Sequence, residues 1–312
     1  MIAASLEGSR AGWLRRRWPL LAALALLAVL ALWTLAAGLR LSGGRLVYAL
    51  DDAYIHLAVA RSLAEHGVWG LTRYEFSSSS SSLLWTLLLA AGLRLGAGDW
   101  LPLLLNLAAA AGLTVGMDRA LRHDGWPPLA RAAALAALLL AAGITALIFS
   151  GMEHTLQLGL ALWLMRLASA DLARSREVPP WQIGLLALLN VMVRYEGLFL
   201  AALIGLGYLL QRRWGRIALV GAAAALPVVV FGLVASGNGW PFLPASVVAK
   251  TQSLQQARFP LLPHFSGGKL TLRSVACLVL SLGWLAGALP RLRAGADRRW
   301  ASFHALAAGA LL

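Results

Sequence analysis

Long apolar runs, separated by short polar and basic segments, make up most of the chain. The first run covers Pro19–Leu39. Later runs follow at 101–117, 132–149, 156–172, 183–193, 198–210, 217–235, 272–289 and from 301 onward. An α-helix needs about 20 apolar residues to cross a bilayer, and several of these runs approach or reach that length. The pattern predicts an all-α, polytopic integral membrane protein.

The composition excludes the main alternatives to a membrane protein. Hydrophobic residues make up 60% of the 312 residues and charged residues 13%, whereas a soluble domain carries about 45–50% apolar and roughly 25% charged residues. A soluble enzyme and a disordered tail are therefore excluded. Cys277 is the only cysteine, which also excludes an internal disulfide scaffold.

The basic residues indicate how the chain is oriented in the membrane. The formal net charge is +14, but the Arg and Lys residues form short clusters between apolar runs instead of one basic domain. This arrangement is typical of the cytoplasmic flanks of membrane helices and argues against a nucleic-acid partner. Because Arg15–Arg17 precede the first run, we expect an uncleaved first helix and a cytoplasmic N-terminus in the inner (plasma) membrane.

The segment Leu83–Leu95 decides the topology. It is apolar but only about 13 residues long, which suits a re-entrant or interfacial helix better than a full span. If this segment does not cross the membrane, most of the 27 Lys and Arg residues fall on the cytoplasmic side. If it crosses, every later loop changes side and most of these residues fall on the outer side. The positive-inside rule favours the first topology, with extracytoplasmic loops at 40–100 and 236–271.

A carboxylate pair opens a helical pattern in the first of these loops. The segment reads DDAYIHLAVARSLAEHG from Asp51, with Ile55, Val59 and Leu63 at helical spacing, so it predicts an amphipathic helix along the membrane surface. One of Asp51 and Asp52 can cap this helix. The other can act as a general base towards an acceptor hydroxyl, so capping and catalysis both remain open for the pair.

Four ordered motifs carry a family resemblance. The first is the Asp51 segment, followed by the Ser-rich stretch SSSSSSLLWTLLLA. The others are SGMEHTL at 150–156, RYEG at 194–197 and GNGWPFLPASVVAK at 237–250. Together they resemble the GT-C membrane glycosyltransferases, most closely the branch of terminal β-(1→2) arabinofuranosyltransferases. The sequence departs from that pattern at Ser77–Ser82 and at Ala245, which weakens any inference about acceptor recognition.

The resemblance covers about residues 15–290 and implies a single GT-C-type transmembrane helical domain over 1–312. It implies the transfer of a sugar from a polyprenyl-phosphate donor with inversion at the anomeric carbon. Similarity to the family favours arabinofuranose as that sugar. The acceptor would be a cell-envelope glycan, lipid or protein at the outer face of the membrane. The chain ends within an apolar run, so a short family member and a sequence lacking further C-terminal spans are both consistent with it. A lipid or solute transporter, or a catalytically inactive GT-C relative, is the alternative.

The same resemblance suggests roles for individual residues. Asp51 is the first candidate for the base and Asp52 the second. The donor phosphate would be bound by cations, for which the candidates are Lys250, Arg194, Arg73 and Lys269. The candidates for substrate contacts are Tyr54, Glu153, Glu196 and Trp240.

Each of these roles has a structural alternative. Arg194 and Glu196 can form an interfacial ion pair that closes a turn, and Lys250 can be a solvated loop cation. Tyr54 and Trp240 can belong to an interfacial aromatic belt. The run Ser77–Ser82 is most simply a flexible turn, although its hydroxyls could bind a sugar.

No cofactor is predicted with certainty, although some GT-C relatives use a divalent metal at this face. Glu153 and His154 are the candidate ligands. Two adjacent residues make a poor metal site by themselves, because a stable site normally needs more protein ligands.

Overall fold

The computed structural model describes residues 2–245 apart from Ser175, with side chains from Arg17 onward. All regular structure in that part of the chain is helical. The helices, in chain order, are α1 (Ile2–Leu41), α2 (Asp52–His66), α3 (Leu83–Arg94), α4 (Leu101–His123), α5 (Pro128–Ala141), α6 (Ile144–Phe149), α7 (His154–Leu172), α8 (Pro180–Val193), α9 (Gly197–Leu210) and α10 (Trp214–Gly237). The all-α prediction is confirmed for these residues.

Within the described residues, three helices are long and apolar enough to cross a membrane. They are Arg17–Leu41 within α1, all of α4, and all of α10. Large apolar side chains on α1 are exposed, including Val29, Leu32 and Trp33, as expected for a helix that contacts lipid. These helices support an association with the membrane, and the larger number of spans predicted from the sequence stays a prediction.

The apolar run at 132–149 does not form one continuous helix. Gly143 adopts a left-handed conformation with φ of 59° and separates α5 from α6, and glycine adopts such a conformation at little steric cost. The segment predicted to be interfacial forms α3, a helix of 12 residues. At 1.5 Å per residue it is about 18 Å long, short of the roughly 30 Å of a bilayer core.

The described chain divides into two compact units. Of the described residues, unit 1 contains 2–54 and 95–159, and unit 2 contains 55–94 and 160–245 apart from Ser175. In unit 1, α1 packs on α4 and α5. One face of α1 buries Ala23, Leu27 and Ala31, and this spacing of four residues places them on one side of the helix.

The described part of unit 2 is built around four helices whose buried residues recur at the same spacing of four. Its core contains Leu164, Ala168 and Leu172 of α7, Ile183, Ala187 and Val191 of α8, Leu200, Ile204 and Tyr208 of α9, and Val220 and Ala224 of α10. The helix α3 packs on α8 in the same unit. Small residues at these positions allow apolar helices to approach each other closely.

A buried ion pair joins α4 to α5 in unit 1. Arg131 Nη1 lies 3.0 Å from Asp118 Oδ1, and the two side chains are 3% and 1% exposed. The pairing neutralises a guanidinium that would otherwise be costly to bury.

Candidate functional site

Tyr48 anchors the loop that carries the two aspartates. Its hydroxyl donates a hydrogen bond of 2.6 Å to the main-chain oxygen of Asp99 and accepts one of 3.3 Å from the Leu103 N–H. The Tyr48 N–H in turn donates to the Tyr54 hydroxyl at 2.9 Å. Burial raises the pKa of the Tyr48 phenol well above its ordinary value, so the hydroxyl keeps its proton and remains a donor. The loop is thus attached to the N-terminal end of α4.

The turn after α6 packs against the same loop. The Ala49 N–H donates to the Phe149 carbonyl at 3.2 Å. Gly151 adopts φ of +73°, and a Cβ at this position would lie 2.6 Å from Tyr48 Cδ1 and 2.8 Å from the Ala53 Cβ. Only glycine satisfies both the backbone conformation and this close contact. The glycine of the SGMEHTL motif is therefore required by the packing.

Asn106 holds the other side of this turn. Its Nδ2 donates to the carbonyl of Met152 at 2.9 Å and to that of Ile148 at 3.4 Å. Asn106 is fully buried, and the neighbouring Glu153 side chain is 1% exposed. The predicted substrate residue Glu153 is thus part of the packed interior of this region and not an exposed loop residue.

Asp51 and Asp52 are both exposed at the start of α2, but their contacts differ. Asp51 Oδ1 accepts a hydrogen bond of 3.0 Å from the Asp52 N–H, and the Asp51 carbonyl accepts one of 2.9 Å from the Tyr54 N–H. Asp51 therefore stabilises the first turn of the helix. The Asp52 carboxylate accepts no hydrogen bond from a residue that the structure describes. It lies in the first turn, where the helix dipole favours a negative charge.

These contacts bring together three segments that are distant in sequence. We call residues 48–52, 99–103 and 149–153 the aspartate end of unit 1. Tyr48 and Asp99 are joined by a hydrogen bond. The two ends of the segment between them, which contains α3, therefore lie next to each other. A net crossing would separate the two residues by about 30 Å of hydrocarbon, so the bond supports the non-crossing interpretation of α3.

The serine run is a packed segment in unit 2, which contradicts the simple view of a flexible turn. Ser78, Ser80 and Ser82 are fully buried. The Ser80 hydroxyl lies 2.9 Å from His56 Nδ1 and 2.9 Å from the Thr86 hydroxyl. The sequence interpretation missed His56, a buried histidine of α2, because a histidine in a polar-looking helix gives no signal of burial.

Further motif segments of unit 2 meet beside the serine run. The Ala245 N–H donates to the Ser78 carbonyl at 3.0 Å. Trp69 and Phe76 pack against Phe231 near the end of α10, with ring centroids 5.6 Å and 6.0 Å away. Trp240, a predicted substrate residue, is half-buried just after that helix. The serine run and the described part of the GNGWPFLPASVVAK motif are therefore neighbours.

The predicted phosphate-binding cations make local contacts in unit 2. Arg194 Nη2 lies 2.7 Å from Glu196 Oε1, as the ion-pair alternative predicts. Arg73 is exposed on a loop, donates to the Tyr74 hydroxyl at 2.8 Å and lies over its ring. Neither contact tests phosphate binding, which stays a prediction for both residues. Lys250 and Lys269 lie outside the described residues.

Tyr195, between Arg194 and Glu196, is buried. Burial raises the pKa of Tyr195 to about 12. Its hydroxyl makes no hydrogen bond to a residue within the described part of the chain. The turn of the RYEG motif therefore buries its tyrosine, covers most of Arg194 and exposes Glu196.

The metal site considered in the sequence analysis involves Glu153 and His154. Among the described residues, no group of three or more His, Cys, Asp and Glu side chains is arranged to bind a metal ion. The prediction that Glu153 and His154 contribute to such a site stays a prediction.

Comparison with protein-family models, with curated proteins and with solved structures finds no match to this chain.

Proposed function

We propose that the chain is a membrane glycosyltransferase of the GT-C type, with the aspartate end of unit 1 as the acceptor side of its active centre. It transfers a sugar from a polyprenyl-phosphate donor to an envelope glycan, lipid or protein at the outer face of the membrane. Arabinofuranose is the first candidate for the sugar, because of the motif resemblance described above.

One observation carries the proposal. Tyr48 holds the loop with two exposed carboxylates against Asp99 and Leu103, and Gly151 packs on the same tyrosine ring. Two of the four motifs, DDAYI and SGMEHTL, therefore form one structure. General-base catalysis requires a carboxylate that is held in position within reach of the acceptor hydroxyl.

The reaction follows from inversion at the sugar. The base carboxylate, Asp51 or Asp52, removes the proton from the acceptor hydroxyl while that oxygen attacks the anomeric carbon. The bond between the anomeric carbon and the phosphate oxygen breaks, and polyprenyl phosphate leaves with the electron pair. Of the two residues, Asp51 also accepts the Asp52 N–H, which leaves the Asp52 carboxylate more available to an acceptor.

Fixed positive charge is needed for the phosphate that leaves. Arg194 and Arg73 are the described candidates, and Lys250 and Lys269 are the others. The Arg194 guanidinium already contacts Glu196, but a guanidinium has five donors and can bind a phosphate at the same time.

The decisive experiment is a transfer assay with the full chain in detergent or nanodiscs. Radiolabelled polyprenyl-phosphate arabinofuranose and polyprenyl-phosphate mannose are supplied separately with an oligosaccharide acceptor. We expect a glycosidic product from one donor. Loss of the catalytic base should lower kcat by about 10²–10⁴-fold in Asp51→Asn or Asp52→Asn.

The choice of variants separates catalysis from folding. Asparagine caps helices about as well as aspartate, so Asp51→Asn keeps the start of α2. Glu65→Gln removes an exposed carboxylate near the other end of α2 and should leave kcat unchanged. Full activity in both aspartate variants would overturn the base assignment. Movement of donor lipid or solute without any glycosidic product would favour the transporter alternative.

A further inference from the structure

A second charged centre lies in unit 2, where α7 ends and α10 begins. Asp171, in the last turn of α7, is 5% exposed, and its two carboxylate oxygens face different partners. Oδ2 lies 2.9 Å from Arg213 Nη1 and accepts a hydrogen bond of 2.8 Å from the Tyr208 hydroxyl, whereas Oδ1 lies 3.0 Å from Arg216 Nη2. This carboxylate therefore fixes two guanidinium groups at the beginning of α10.

A cavity of about 720 Å³ opens beside this cluster. Its charged lining consists of Asp171, Glu177, Arg174, Arg176, Arg213 and Arg216. Four guanidinium groups thus face two carboxylates, one of which is already used to hold Arg213 and Arg216. The cavity has an excess of positive charge and a volume in the range of about 300–1,000 Å³ that is common for small-molecule sites.

The guanidinium groups of this cavity retain donors for a ligand. Arg174 and Arg176 are exposed and form no ion pair with a described residue. Arg216 also donates to the Val178 carbonyl at 2.8 Å, but its Nη1 is buried and has no acceptor in the described part of the chain. The exposed guanidinium groups of Arg174 and Arg176 are therefore the donors that a ligand can reach.

Two helices add to the positive potential. The N-terminal residues of α8 and the arginines that open α10 line the cavity. Neither helix has an acidic residue in its first turn or a side-chain hydrogen bond at its N-cap. Helix N-termini carry a partial positive charge and favour anions.

We propose that this cavity is a binding site for a phosphate group, which we call the arginine site. Arginine is suited to phosphate because its planar guanidinium can make two parallel hydrogen bonds to phosphate oxygens. The charge distribution predicts that this end of unit 2 faces the cytoplasm. The phosphate can therefore belong to an anionic lipid headgroup of the inner leaflet or to a soluble phosphate ester. This site is separate from the proposed sugar transfer, and neither proposal depends on the other.

The test uses the full chain without any sugar-transfer assay. In one arm, pyrophosphate is titrated into protein in phosphatidylcholine nanodiscs, and binding is measured by calorimetry. In the other arm, nanodiscs contain phosphatidylglycerol, and bound lipid is counted by native mass spectrometry. We expect saturable binding in at least one arm, and the arm that responds identifies the source of the phosphate.

The variant Arg174→Gln/Arg176→Gln should weaken that binding by about tenfold or more, because hydrogen bonds to charged groups are lost. The matched control, Arg119→Gln/Arg122→Gln, removes two exposed arginines of α4 and should bind like the original chain. Arg174→Lys/Arg176→Lys keeps the charge and should retain part of the affinity. Absence of binding in both arms, or equal weakening in the Gln variant and the control, would overturn the proposal.

Discussion

The Tyr48 hydroxyl donates a hydrogen bond of 2.6 Å to the main-chain oxygen of Asp99, a residue 51 positions later in the chain. The same hydroxyl accepts the Leu103 N–H, so a single phenol joins the loop before α2 to the beginning of α4. The loop with Asp51 and Asp52 is held to a rigid helix through this side chain. The position of the proposed base therefore depends on a residue outside the aspartate pair.

Removal of the Tyr48 hydroxyl should destabilise the protein. In Tyr48→Phe the Leu103 N–H and the Asp99 carbonyl lose a partner, and we expect a loss of about 1–3 kcal/mol in the apparent free energy of unfolding. The control is Tyr195→Phe, which removes another buried hydroxyl, one that has no described hydrogen bond. It should leave stability unchanged or raise it, because a buried hydroxyl without a partner is removed. Unfolding in SDS, followed by circular dichroism, measures both; equal effects would contradict the anchoring role.

Gly151→Ala should destabilise the protein by more than the left-handed backbone conformation at this position alone would cause. The positive φ costs about 1–2 kcal/mol for a residue with a Cβ, and the contact with Tyr48 and Ala53 adds about 1–3 kcal/mol. Gly125 has a similar φ of +76° but nothing within 4 Å of a Cβ, so Gly125→Ala isolates the conformational cost. The difference in melting temperature between the two variants measures the cost of the contact with Tyr48 and Ala53. A negligible difference would show that the turn does not pack on Tyr48.

The buried pair between Asp118 and Arg131 gives a third prediction. In Arg131→Met the Asp118 carboxylate stays buried without its guanidinium, which should cost about 3–5 kcal/mol of stability. The double variant Asp118→Leu/Arg131→Met removes both charges and should recover most of that loss. Arg119→Met, on the exposed side of α4, is the control and should be nearly neutral. If the double variant is no more stable than Arg131→Met, the two charges do not form the pair described here.

Tyr195 should lose its hydroxyl proton at a higher pH than an ordinary phenol does. Burial raises the pKa of Tyr195 from 10.0 to about 12, so its protonated form is favoured in the folded state. The resulting stability is fully present below pH 10 and is lost as the pH rises towards 12. The absorbance at 295 nm of the original chain, minus that of Tyr195→Phe, should show a transition near pH 12 while the helical signal persists. A transition near pH 10 in folded protein would contradict the burial of Tyr195.

The sequence predicted the helical class and several helix positions because apolar periodicity is a strong local signal. The runs at 19–39, 101–117 and 217–235 lie within α1, α4 and α10, the three candidate spans. The break of the 132–149 run at Gly143 was not predicted. A single glycine inside an apolar run changes hydropathy very little, so its left-handed conformation leaves no trace in the pattern.

Contacts between distant segments were harder to predict. The motifs identified Asp51 and Asp52 but not Tyr48, Asn106 or His56, because the roles of these residues depend on partners far away in the sequence. The serine run was expected to be a flexible turn, yet the structure buries Ser78, Ser80 and Ser82. The Ser80 hydroxyl is paired with His56 and Thr86, as most buried polar groups are, whereas the hydroxyls of Ser78 and Ser82 have no partner among the described residues.

The most direct test of the account is the side of the membrane on which Ala49 and Asp99 lie. With Cys277 replaced by serine, single cysteines are introduced as Ala49→Cys, Asp99→Cys and Arg122→Cys, all at exposed positions. The Tyr48 bond uses the main-chain oxygen of Asp99, so Asp99→Cys preserves it. A membrane-impermeant maleimide applied to intact cells should label positions 49 and 99, and position 122 only after the membrane is opened. Labelling of positions 49 and 99 from opposite sides would place a bilayer between them and contradict the proposed active centre.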